Sequence, residues 1–137
     1  MQNTSSTEDL FKIADENGIE ILYGFFPACK AICTEGLIAI DYDLSDAEEK
    51  VDLAHELGHC ITGSFYLLSS ASIERRRAER RADKWAIKKL VPEDELERAM
   101  KRFTYYYELA DYFGVTEEFI RKAVDYYSQS KRLRNCC

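Results

Sequence analysis

The chain's only two histidines stand four residues apart, in the run His55-Glu56-Leu57-Gly58-His59. That spacing constrains the fold more than any other feature. In a strand the two imidazoles would lie about 13 Å apart, whereas on an α-helix they share a face one turn apart and can grip a single metal ion. The run therefore predicts a helix. Glu56 sits about a quarter turn from His55, where its carboxylate reaches a water on the ion without becoming a ligand. A hydrolytic zinc site keeps three protein ligands and one open position, so a third ligand must come from another element.

The next helical stretch, SIERRRAERRADKWAIKKLVP, supplies candidates. Glu79, Asp83, Ala86 and Leu90 fall on one helix face beside Ala82 and Trp85, which turns both carboxylates towards the core. Carboxylates placed there are costly unless paired or metal-bound. This favours Glu79 as third ligand and Asp83 as the group that orients a ligand imidazole. Glu74 competes as a ligand, but its first-turn position suits the helix dipole better. The alternative for Glu79 and Asp83 is salt bridging to the neighbouring arginines on a solvated face.

Around these two helices the pattern is α+β. Ser5, three residues before Glu8, has capping-box spacing for a first helix that ends near Gly18. GIEILYGFF and ICTEGLIAIDYDL read as strands of a small antiparallel sheet, with a turn at Glu35 and Gly36. Ser45 opens the histidine helix, which runs to Gly63, and Ser72 is positioned to cap the next, which must stop before Pro92. From Pro92 on, PEDELERAMKR, TYYYELADYFG and TEEFIRKAVDYY read as three more helices, with SQSKRLRNCC frayed. The expected architecture is a small antiparallel sheet, a zincin-type active-site helix and a C-terminal helical bundle.

A length of 137 residues suits a single domain, with residues 1–91 holding the sheet and metal-site helices and residues 92–137 the C-terminal helical part. No apolar run is long enough for a membrane span and the N-terminus lacks a secretory pattern, so a cytoplasmic protein is expected. The five cysteines, Cys29, Cys33, Cys60, Cys136 and Cys137, have no disulfide-framework spacing and are read as free thiols. The net charge of −6 is uneven, with three Lys/Arg against thirteen Asp/Glu up to residue 60 and sixteen against twelve beyond it. The basic run RRRAERR reads as a solvated helix face stabilised by its interleaved acids.

The segments GLIAIDYDL, LAHELGH, RRAERRADKWAIKKLVP and ELADYFGVTEEFI, in this order, resemble the ImmA/IrrE family of zinc metallopeptidases over roughly residues 30–127. Trp85 stands where that family usually has Phe. The resemblance implies one zinc ion held by His55, His59 and Glu79, with Glu56 as catalytic base. It also implies a protein substrate, a phage- or mobile-element-type helix-turn-helix repressor. In such a site zinc acidifies water and polarises the scissile carbonyl while Glu56 shuttles the proton. Tyr66 is a candidate oxyanion stabiliser, as are Tyr105, Tyr106 and Tyr107. The strand from Leu37 to Tyr42 is a candidate for pairing with a substrate segment.

ELADYFGVTEEFIRK also resembles a helix-turn-helix, which gives the competing reading: a non-catalytic regulatory module with structural zinc and a DNA- or protein-contacting C-terminal part. Glu117 and Glu118 at the start of its second helix would repel phosphate, so nucleic acid is not expected there. The sequence carries no signal for an oligomeric state.

Overall fold

The computed structural model describes residues 5–25, 31–34, 36–67 and 69–135. Helix α1 (Thr7–Glu16) leads into strands β1 (Glu20–Gly24), β2 (Ala31–Thr34) and β3 (Leu37–Asp41), and five helices follow. These are α2 (Asp46–Thr62), α3 (Ser72–Leu90), α4 (Glu93–Arg102), α5 (Tyr106–Phe113) and α6 (Glu117–Asn135). The α+β class and the helix-turn-helix-like pair α5 and α6 are as the sequence predicts. The cysteines Cys29, Cys136 and Cys137 lie outside the described residues, as do Glu35 and the side chain of Cys33.

The sheet is mixed rather than antiparallel. Its order is β1-β3-β2, with β2 antiparallel and β1 parallel to β3. β2 and β3 pair as neighbours in sequence, and β1 takes the other edge of β3 rather than the outer edge of β2. One consequence overturns an expectation: β3 is central and hydrogen-bonded on both sides, so it has no free edge for a substrate strand. Along β3, Ile38 and Ile40 are fully buried while their neighbours are half-buried, the alternation of a strand with one face on the core.

Helix boundaries follow local chemistry. Ser45 caps α2 by accepting from the Glu48 amide while Glu48 accepts from the Ser45 amide, and Gly63 closes the helix at φ 64°. That left-handed conformation suits glycine. Two assignments shift by a residue. The cap of α1 is Ser6 with Asp9, whereas the Ser5 hydroxyl donates to the Lys89 carbonyl at 2.9 Å. The cap position of α3 is Ala71, and Ser72 is already helical. Helix α6 also continues through the stretch expected to fray, to Asn135, and within that stretch Lys131 pairs with Glu93 and Glu97 of α4.

Helices α2 and α3 form the most extensive contact between elements. On α3, Ala78, Ala82, Ala86 and Leu90 repeat every fourth residue as a buried stripe of mostly small side chains. On α2 the facing residue is Gly58: a Cβ there would lie 2.6 Å from the Ala82 carbonyl oxygen and 2.9 Å from its Cα. Only glycine permits this approach, which brings the backbones into contact beside the histidines.

Candidate metal centre

The close crossing sets the third candidate ligand opposite the first two. Glu79 projects from α3 between the imidazoles, with Oε2 2.8 Å from His55 Nε2 and Oε1 3.2 Å from His59 Nε2. The imidazole centroids are 4.8 Å apart and the rings nearly perpendicular. Among the described residues, His55, His59 and Glu79 are the one group of three possible ligands whose donor atoms converge, all within 4.8 Å of one another. Glu74 is exposed on the first turn of α3 and takes no part in the group.

The outward nitrogen of each imidazole is occupied. His55 Nδ1 lies 2.9 Å from Asp83 Oδ1, and His59 Nδ1 lies 2.6 Å from the Ser64 carbonyl oxygen. An acceptor at Nδ1 holds the proton there and leaves the Nε2 lone pair facing Glu79, the tautomer a metal ligand requires. The Nε2-to-carboxylate separations also approach the roughly 3.3 Å expected between ligands of a tetrahedral ion bonded at about 2.0 Å. The donor set therefore fits a zinc-type ion. Burial alone would lower the His55 pKa, but the hydrogen bond and charge of Asp83, reinforced by Glu79 and Glu56, raise it.

Asp83 is in turn contacted by Lys122 of α6, whose ammonium donates to Oδ2 at 3.3 Å. Burial would raise the Asp83 pKa, yet His55 and Lys122 hold it below the ordinary carboxylate value. Two contributors escape sequence reasoning. The Ser64 carbonyl is a backbone atom with no residue-type signature, although Gly63 after the histidine helix marks where the chain reverses over its last turn. Lys122 is 39 residues from Asp83, and no local pattern links them.

Glu56 is half-buried and close enough for its charge to act on both His55 and Tyr66. The Tyr66 ring lies 6.2 Å from His59, and a hydrogen bond to Glu79 raises the phenol pKa. Tyr105 and Tyr107 instead stack on one another at the surface, and Tyr106 packs against the core. Cys60 is half-buried, packed against the core with Sγ near the Thr34 carbonyl.

A cleft of about 450 Å³ opens over His55, Glu79 and Asp83. Its far wall is the start of α6, through Thr116, Glu118, Phe119 and Lys122. The helix that would read DNA in a helix-turn-helix thus presents its first turn to the candidate metal centre. No helix among the described residues is long and apolar enough to cross a membrane.

No curated protein matches the chain. The family Peptidase_M78, described as the IrrE N-terminal-like domain, matches residues 22–125. The match starts within β1, takes in both helices that carry the converging donors and the cleft wall, and ends within α6. The chain belongs to the IrrE N-terminal-like family of peptidases.

Proposed function

We propose that the chain is a cytoplasmic zinc-dependent endopeptidase that hydrolyses peptide bonds in one specific regulatory protein, with residues 1–137 acting as a single domain. The observation that carries this reading is the convergence of two Nε2 atoms and one carboxylate, each imidazole held through Nδ1, beside a cleft that can take a peptide segment. His55, His59 and Glu79 would hold the ion, which when bound supplies Lewis acidity that acidifies water and polarises a carbonyl.

The remaining steps belong to side chains. Glu56 takes the proton of the attacking water and delivers it to the leaving amine. Asp83 and the Ser64 carbonyl keep the imidazoles aimed, so that no reorientation is needed during turnover. Tyr66, whose ring lies 6.2 Å from His59, would donate its hydroxyl proton in a hydrogen bond to the oxygen that gains charge. The family resemblance favours a helix-turn-helix repressor as substrate.

The test is an affinity capture from host cells with wild type and Glu56→Gln, read by mass spectrometry. The variant keeps the ligands and loses the base. Enrichment of an intact repressor-like protein by the variant alone, with fragments from wild type, is the expected result. Recovery of the same intact partner by both forms would mean that hydrolysis is not the function.

A further inference from the structure

The run RRRAERR reads in the sequence as a solvated helix face stabilised by interleaved acids, with Glu79 and Asp83 as the acids beside its arginines. In the fold those acids are engaged elsewhere: Glu79 lies against His55 and His59, and Asp83 against His55 and Lys122. What remains on the outer side of α3 is Arg76, Arg77, Arg80, Arg81, Lys84 and Lys88, all exposed. None of the six makes an ion pair with a described residue. Glu74 and Asp83 flank this face, and Asp83 is already paired with His55 and Lys122.

The arrangement is regular. Arg76, Arg80, Lys84 and Lys88 follow one another every fourth residue over about 18 Å of helix, and Arg76 to Arg81 span an arc of about 140°. Like charges at that spacing cost about 0.2–0.5 kcal/mol a pair, so helix stability does not account for the strip. We propose that the outer face of α3 is an electrostatic docking strip for the phosphate backbone of double-stranded DNA. The proposal is independent of the peptidase reading, because none of these side chains belongs to the metal centre.

The composition of the strip selects the partner. Interfaces with proteins add buried aromatic and apolar anchors to their arginines, and helices that lie in a membrane surface add an apolar face to their cationic one. The basic arc offers only Ile73, at its first turn, as an exposed apolar side chain. Single strands need aromatic platforms for their bases, and the arc has none, since Trp85 packs against the core. A wide cationic arc on a rigid helix matches the two phosphate walls of the B-form major groove, which admits an α-helix, whereas the A-form groove is too narrow. The protein's overall charge of −6 does not prevent contact, because charges more than about 10 Å away are largely screened at 0.1 M salt.

The experiment is fluorescence anisotropy of a labelled 30-base-pair duplex of arbitrary sequence titrated with the zinc-loaded full chain from 50 to 200 mM salt. We expect a Kd on the order of micromolar at 50 mM and a log Kobs against log salt slope near −4, from four or five neutralised phosphates. The triple variant Arg76→Gln/Arg80→Gln/Lys84→Gln should weaken binding by at least about tenfold and flatten the slope by about 3, with unchanged zinc content and thermal unfolding. Exchanging the two arginines for lysine should retain binding. Four results would each overturn the proposal: no duplex binding at 50 mM salt, binding lost with Lys131→Gln/Arg132→Gln/Arg134→Gln instead, tighter binding to duplex RNA, or tighter binding to polyglutamate or anionic vesicles.

Discussion

Helix α3 has two faces built from one continuous run of sequence, and they behave oppositely. The inner face carries Ala78, Ala82 and Ala86 in contact with α2 and sends Glu79 and Asp83 to the histidines. The outer face carries six long cationic side chains in solvent. Along the sequence the charges are interleaved; in space Glu79 and Asp83 turn inward while Arg76, Arg77, Arg80, Arg81, Lys84 and Lys88 turn outward. A charged residue on such a helix takes its role from the 100° step between neighbours rather than from the residues beside it in the chain.

The largest effect expected is from Glu79→Ala, which should weaken zinc binding by more than the roughly 10–100-fold typical of losing an orienting partner. Arg80→Gln, one residue away, should leave zinc affinity unchanged; competition with a chelator measures both. If both variants lost zinc equally, the distinction between the faces would fail. Gly58→Ala attacks the contact that creates the inner face. It should destabilise the protein by about 1–3 kcal/mol in urea unfolding, despite alanine's better helix propensity, because its Cβ meets Ala82 backbone.

Asp83→Asn should lower zinc affinity by about 10–100-fold and also change its pH dependence. The His55 pKa is raised above its ordinary value of 6.5, so protons compete with metal from a higher pH. Zinc binding in wild type should therefore decline on acidification from above pH 6.5, and in the variant the decline should move to lower pH. In the metal-free protein the depressed Asp83 pKa has its own linkage. Its stabilisation is present above the unfolded carboxylate value and is lost as pH falls through the folded one, as urea titrations at two pH values would measure. Smallest is the outer face itself: the triple Gln variant should change stability by no more than about 0.5 kcal/mol, upward if repulsion along the strip dominates.

Much of the centre is legible in the sequence because it is helical and local. The four-residue step between His55 and His59 and the shared face of Glu79 and Asp83 follow from one period, and Ser45 with Glu48 marks where α2 begins. What is not legible is non-local or carried by backbone. The parallel pairing of β1 with β3 depends on which edge the β2 hairpin leaves open. The Ser64 carbonyl holds His59 without any side-chain signal, and the role of Lys122 requires α6 to return over α3. The shift at Ser6 reflects two adjacent serines of equal capping propensity, whereas α3 starts one residue earlier than its serine predicts and has no side-chain cap at Ala71.

Lys50 couples the two ends of the chain. Its ammonium is buried within α2 and donates to the Phe113 carbonyl at the end of α5 at 2.6 Å, and burial pulls its pKa down. A chain cut after Val91 would leave that charge in the interior without its acceptor, five residues before His55. The C-terminal helices are thus a poor cassette for exchange between relatives: a graft that omitted a carbonyl at this place would unsettle the histidine helix before it altered any surface.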